Sequence, residues 1–319
     1  MIGVNPLDAY QAMFEGALGS TSSITDTLER STPYIIGGLA FAFAAKAGLF
    51  NIGIEGQMYI GALMAAIVGF SLHGLPSIVH IPLCIAAGML GGMAWTVVPG
   101  LLKIKIGVHE VISTVMLNYV AFAVTGYLTV HWFLEPGAVA QTPEIGSSAA
   151  LAFLSPPSKL NTGIIIAIIC AVLMYVFLYH TAWGYSLRVN GINSIAARYA
   201  GINSTRILLL SMMASGAFAG LMGAERTLGV YHRFMQSFSS GYGYTVIAVA
   251  LLGRNHPLGV IPAAILFGML ENGSSTMSLM VDVPREFGPI LQALIIVVIA
   301  SAQFFGRLSL RRKGEQQHG

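Results

Sequence analysis

Charge is the scarcest property of this 319-residue chain: Asp, Glu, Lys and Arg together make up 9% of it. Soluble domains carry about 25%, which excludes a water-soluble globular fold. A mean hydropathy of +0.74 and a hydrophobic content of 55% agree. Cysteine is nearly absent. Cys84 and Cys170 both fall inside apolar runs, where a free thiol behaves as a small hydrophobe, so neither a disulfide nor redox chemistry is expected. A phosphate-binding loop is missing as well. It needs Gly-Lys followed by Ser or Thr, and none of Lys46, Lys103, Lys105, Lys159 and Lys313 follows a glycine. If the chain works with ATP, another polypeptide binds it. The histidines are scattered without metal-ligand spacing, and no Ser, His and Asp set can be ordered as a triad. No metal, cofactor or catalytic residue is expected. A net charge of +3 in so apolar a chain is no sign of nucleic-acid binding. The first thirty residues hold no continuous apolar stretch of the kind a cleaved secretion signal requires, so no such signal is expected.

What the chain does have is long apolar runs. A bilayer core takes about 20 mostly apolar residues per helix. Nine segments qualify, roughly 33–49, 54–71, 80–102, 107–130, 161–182, 206–225, 240–253, 257–274 and 287–305. The first and seventh are short enough to be re-entrant. The expected fold is all-α, a polytopic membrane protein of about nine transmembrane helices. Its transmembrane domain covers 33–305, with an external segment 1–32 and a cytoplasmic tail 306–319. Lys and Arg gather in cytoplasmic loops. With the tail inside, Lys103, Lys105, Arg188, Arg198, Arg206, Arg254, Arg307, Arg311, Arg312 and Lys313 lie inside, and Lys46 near the inner end of the first span. Arg30, Lys159, Arg226, Arg233 and Arg285 lie outside, with most of the acids. Nine spans then place the N-terminus outside, at the head of a segment carrying Asp8, Glu15, Asp26 and Glu29.

The most informative stretch is Gly48-Leu-Phe-Asn-Ile-Gly-Ile-Glu-Gly-Gln57, between the first two apolar runs. A carboxylate at a bilayer centre costs about 2.5–3.5 kcal/mol, and glycines beside polar residues mark a broken helix. Broken helices survive at membrane depth only inside protein or along an aqueous cavity. Asn51, Glu55 and Gln57 are therefore candidate pathway residues, with helix capping or bundle locking as the plainer role for Glu55. Glu110, Thr114 and Asn118 recur at i, i+4, i+8 in the fourth span and share one helix face. They line a pathway or make interhelical hydrogen bonds, worth about 0.6 kcal/mol on average. Glu110, near the inner end, can also snorkel. Glu271 and Asn272 read as structural or mouth-lining. Gly88-Met-Leu-Gly-Gly92 and Gly216-Ala-Phe-Ala-Gly220 fit small-xxx-small packing. A faint echo of the 51–57 pattern occurs at Ser239-Ser-Gly-Tyr-Gly-Tyr-Thr245, and such paired interruptions point to binding sites in many transporters. Of two long loops, 131–160 is external. The other, 183–205, is internal and holds Ser194-Ile-Ala-Ala-Arg-Tyr-Ala-Gly201, a short helix ending on a capping glycine. It is either a solvated connector or a docking element.

Gly48–Gln57, Val108-His-Glu-Val-Ile-Ser-Thr-Val-Met-Leu-Asn-Tyr119 and Ala196-Ala-Arg-Tyr-Ala-Gly-Ile202 resemble bacterial ABC importer permeases. The family serves branched-chain amino acids and simple sugars, and the branch is that of the nucleoside permeases. Asn5–Tyr10 and Phe14–Ser20 resemble the external segment that follows the family's first helix. The resemblance implies about ten helices, with the first preceding residue 1. It also implies a second permease subunit, usually as a heterodimer, an ABC ATPase on the cytoplasmic side and an extracytoplasmic substrate-binding lipoprotein. The stretch Ser194, Ala196, Ala197, Arg198, Tyr199, Ala200 and Gly201 matches the position of the family's ATPase-coupling helix.

The expected function is nucleoside translocation in the bacterial inner membrane by alternating access. A ribose-like sugar or a branched-chain amino acid is the alternative ligand. An ion-coupled secondary transporter using Glu55 or Glu110 is the alternative class, and an intramembrane enzyme has only those carboxylates and His109 in its favour.

Overall fold

A computed structural model of the chain describes residues 5–137, 139–281, 284, 287–295 and 297–298. In chain order the helices are α1 (Pro6–Leu18), α2 (Thr21–Lys46), α3 (Ile54–Ser71), α4 (Ser77–Leu101), α5 (Glu110–Trp132), α6 (Gly163–His180), α7 (Ala182–Ile192), α8 (Ser194–Tyr199), α9 (Ser204–Arg226), α10 (Tyr242–Leu252) and α11 (Pro257–Met280). Residues 287–295 and 297–298, in the expected ninth span, are also helical. The rest of that span and the tail 306–319 lie outside the described residues. Among the described residues, α3, α4, α5, α6 and α9 are long and apolar enough to cross a membrane. The chain is thus an all-α, multi-pass membrane protein. β-structure among these residues is confined to isolated bridges, which tie the 131–160 loop to itself, to Asn161 and to Met235.

The second to seventh expected spans coincide with helices to within three residues, α11 runs six residues past the expected end at 274, and the first span departs most. Helix α2 begins at Thr21, well before residue 33. Its first half, Thr21 to Thr32, is too polar for hydropathy to reveal. Burial is tolerated there because the hydroxyls bond within the helix: Ser31 Oγ donates to the Thr27 carbonyl (2.6 Å) and Thr32 Oγ1 to that of Leu28 (2.9 Å). Pro33 sits inside this helix, where a proline is more often read as a boundary. The expected external segment 1–32 is therefore helical from Pro6. Asn5 caps α1 by accepting from the Leu7 N–H, and Pro6 supplies the fixed φ of a first helical residue. Asn272 of α11 donates to the Gly16 (2.9 Å) and Ser23 (3.0 Å) carbonyls and so holds the α1–α2 corner.

Helix α9 lies at the centre, against α4, α3 and α2. The two small-xxx-small motifs face each other: Gly88 and Gly92 of α4 meet Gly216 and Gly220 of α9, and Gly61 of α3 meets Gly220. A Cβ on Gly220 would collide with the Gly88 carbonyl, and one on Gly92 with that of Gly216. These are backbone-to-backbone contacts, the way membrane helices associate without a hydrophobic driving force between them. Around them, Ile35, Leu39, Phe41, Met58 and Phe267 form a closed apolar core.

Gly220→Val must push α9 off α4. Overpacking of this kind costs about 1–3 kcal/mol, so the purified variant should melt measurably lower in detergent. An unchanged melting temperature would show the backbone contact to be dispensable.

Candidate functional site

Helix α2 stops at Lys46, and Gly48 takes φ +85°. The chain then turns back into the bundle instead of leaving it. The Leu49 N–H returns to the Ala44 carbonyl (3.0 Å), and Phe50 packs edge-on against Phe41 at 4.9 Å. Asn51 bonds Ser215, which itself donates to the Ala40 carbonyl. Asn51 is thus level with Ala40, roughly 9 Å above the end of α2 at 1.5 Å per residue. Helix α3 starts from that depth. The break expected near 48–57 is a re-entry over residues 47–53.

Asn51 is fully enclosed, and both polar atoms of its side chain are used. Its Oδ1 accepts from the Gly53 N–H (3.0 Å) and Gln57 Nε2 (3.1 Å), and its Nδ2 donates to Gln57 Oε1 (3.0 Å) and Ser215 Oγ (2.9 Å). Gln57 is likewise buried. Asn118 of α5 serves the same re-entry from the other side. Its Oδ1 accepts the Gly56 N–H (2.9 Å), and its Nδ2 donates to the Ile52 carbonyl (3.1 Å). Gly53, at the cap of α3, offers no side chain, so Asn118 caps that helix from a neighbouring one. Thr114 is buried one turn earlier and donates to the Glu110 carbonyl (2.7 Å). Glu110 stands apart from this cluster. It pairs with Lys103 at 2.7 Å across the α4–α5 turn.

Glu55 lies in the first turn of α3 and accepts the Gly243 N–H from the first turn of α10. Helix α10 has 11 residues, about 16 Å at 1.5 Å per residue, roughly half the 30 Å hydrocarbon thickness. It too begins inside the bundle, after the irregular stretch 232–241 that follows the π-turn Thr227–Tyr231. The 51–57 pattern and its echo at 239–245 are therefore in contact. Two helix N-termini converge on one carboxyl group, the side chain of α3's own first turn meeting an amide of α10's. The fold brings together Asn51, Glu55, Gln57, Thr114 and Asn118 and leaves Glu110 at the edge.

A second polar cluster joins Glu271 to buried charges that sequence reasoning does not single out. Arg226, 4% exposed, pairs with Glu29 at 2.6 Å and lies 5.3 and 5.6 Å from the ring centres of Tyr231 and Tyr242. Glu271 accepts from Arg30 (3.1 Å), Tyr34 Oη (2.6 Å) and Tyr242 Oη (3.1 Å). Glu225 Oε1 accepts from Asn161 (3.2 Å), while Oε2 has no hydrogen-bond partner among the described residues. Arg226 is thus a buried ion-pair member and no loop charge. The available signal is the pair of dipeptides Glu29-Arg30 and Glu225-Arg226 in a nearly uncharged chain.

Residues 183–205 hold α7, α8, their turns and the first residues of α9. Asn193 caps α8 by accepting from the Ile195 and Ala196 N–H groups. At the other end Gly201, at φ +78°, donates to the Arg198 carbonyl (3.0 Å), and Ile202 to that of Ala197 (2.9 Å). This is a Schellman cap. Ser194, Ile195, Ala196, Arg198, Tyr199, Ala200 and Gly201 are exposed, Tyr199 at 91%. Ala197 points inward and is fully buried.

Residues 23–300 match the family described as branched-chain amino acid transport system / permease component. The guanosine ABC transporter permease protein NupP of Bacillus subtilis is 38% identical over 98% of this chain and 91% of its own length. The nucleoside ABC transporter permease protein NupB of Lactococcus lactis is 38% identical over 93% and 84%. The glucose ABC transporter permease protein TsgB13 of Haloferax volcanii is 34% identical over 96% and 83%.

Two substitutions test the convergence of helix ends. Asn118→Ala leaves the buried Gly56 N–H unpaired, at a cost of about 1–3 kcal/mol, and should lower the melting temperature. Glu55→Gln keeps a carbonyl acceptor for Gly243 and should melt above Glu55→Ala. Equal losses for the two Glu55 variants would show that the amide bond is not what this side chain contributes.

Proposed function

The chain belongs to the family of branched-chain amino acid transport system permease components, and from that premise we propose that it is the membrane subunit of an ATP-driven importer carrying nucleosides. The observation that carries the substrate is the nearly full-length similarity to two nucleoside permeases. The permease catalyses no covalent step, and ATP hydrolysis belongs to a separate ATPase chain. A second permease subunit and an extracytoplasmic substrate-binding lipoprotein complete the assembly. The protein resides in the bacterial inner membrane, with 183–205 and the tail 306–319 in the cytoplasm and 1–32 outside.

In this reading ATP binding closes the partner's domains, α8 passes the motion to the helices, and the permease pair switches between outward and inward access. Asn51, Glu55, Gln57, Thr114 and Asn118 border the path at the converging helix starts, with Glu110 at its inner edge. Their bonds hold the re-entry closed, and opening exchanges some of those bonds for bonds to the ligand. Few charges at the site suit a polar, uncharged ligand. Glu55 bonded to an amide and Glu110 paired with Lys103 support locking roles over proton carriage. A simple sugar is the second reading, favoured by the glucose permease relative.

Purification from the native membrane, with associated chains identified by mass, tests the assembly. A second permease, an ATPase and a lipoprotein should be recovered, and the lipoprotein screened against nucleosides and sugars decides the ligand. This chain alone, moving solute on an ion gradient without ATP, would overturn the reading. Tyr199→Ala should lower ATPase recovery more than tenfold, since truncating a central aromatic anchor costs on the order of 2 kcal/mol. Ala197→Asp tests something else: it forces a carboxylate into a closed site and should unfold the loop itself. Full recovery with Tyr199→Ala would remove α8 as the docking element.

A further inference from the structure

Two cavities at the end of the bundle carrying Lys46, Arg188, Arg198 and Arg206 share a wall. The first, about 280 Å³, is lined by Trp183 and Ser186 of α7, the Gly201–Asn203 turn and Arg206 of α9. The second, about 320 Å³, is lined by Phe43, Phe177, Leu187, Leu210 and Ala214. Trp183 and Ile207 belong to both. Leu210 and Ala214 follow Arg206 by four and eight residues, so they lie about 6 and 12 Å deeper along α9. The spanning helices α6 and α9 end at His180 and begin at Ser204. The first cavity is therefore at the membrane–water boundary and the second inside the hydrocarbon layer.

The chemistry of the two cavities follows the same order. The upper one holds a cation: the Arg206 guanidinium lies 5.3 Å from the Trp183 ring centre. Among the described residues Arg206 is in none of the ion pairs, which engage Arg30, Lys103, His109, Arg226 and Arg233. No Asp or Glu occurs anywhere between Glu144 and Glu225, so nothing in this part of the chain neutralises it. Trp183, half-exposed, is of the type that gathers at membrane interfaces. The lower cavity is apolar apart from Ser211 and is flanked by the exposed side chains of Phe177 and Leu210.

We propose that the two cavities form one binding site for an anionic phospholipid of the cytoplasmic leaflet, its headgroup at Arg206 and Ser186 and one acyl chain in the slot beside Phe177 and Leu210. The proposal rests on the reading that this end faces the cytoplasm. A free phosphate would leave the slot unused, and a neutral lipid would leave Arg206 unpaired. The bound lipid ties α7 and the start of α9, the two elements flanking α8, to the bilayer.

The test uses the intact transporter in nanodiscs of equal phosphatidylcholine and phosphatidylglycerol, with lipid retained after a detergent wash counted by native mass spectrometry. Phosphatidylglycerol should be retained in preference. Arg206→Ala should weaken that retention about fivefold, the effect of one basic residue at an anionic surface. Ala214→Trp, which fills the slot and leaves Arg206 in place, should displace the lipid. Equal retention of both lipids, or phosphatidylglycerol retention untouched by Arg206→Ala, would overturn the proposal. Because Arg206 is exposed, its variant decides even if Ala214→Trp fails to fold. Lipid counts do not depend on uptake. Accessibility labelling of Tyr199→Cys in intact cells fixes the side separately, so a wrong orientation and an absent lipid site give different results.

Discussion

A buried carboxyl group held between two helix N-termini is the constraint on which the interior arrangement depends. Glu55 belongs to α3 and is bonded to α10. For that contact to exist, both helices must start inside the bundle, so the chain must re-enter over 47–53 and stay irregular over 232–241. Exposed backbone at such depth is tolerated only when every polar group finds a partner. Asn51 and Asn118 supply partners for the Gly53, Gly56 and Ile52 backbone, and Gln57 and Ser215 hold Asn51 in turn. The polar residues that stand out in the sequence are thus consequences of one another. Take away the early start of α3, and Asn51 and Asn118 lose their reason to be buried.

Much of this is legible in the sequence. Hydropathy locates α3 at 54–71 without error and most other spans to within a few residues, because lipid-facing helices must be apolar along their length. The break near Gly48 is visible because glycines flanking a carboxylate do not suit a continuous helix at membrane depth. The closing glycine of α8 is visible too, since a left-handed cap favours that residue. Both glycine motifs can be seen, though not that each is the other's partner.

What stays hidden follows from the same physics. The first half of α2 is polar, and its hydroxyls are satisfied by their own helix, a bond that hydropathy cannot register. Arg226 looks like a loop charge because its partner, Glu29, is distant in sequence. The inward face of Ala197 is invisible, because a six-residue helix is too short to show a periodic pattern. The meeting of 51–57 with 239–245 shows only as an echo, since weak internal symmetry carries no distance information.

The glycine contacts have a mechanical side. Side chains interposed between helices can change rotamer and let one helix slide past the other, whereas two backbones in direct contact have no such slack. Helices α4 and α9, with α3 at Gly61, should therefore move as a single stiff girder. Helix α8 ends at Tyr199 and α9 begins at Ser204, so a force applied at α8 enters this girder almost at once. The compliance must then lie elsewhere, in the re-entrant stretch 47–53 and in the tyrosine and carboxylate contacts that α2, α10 and α11 share.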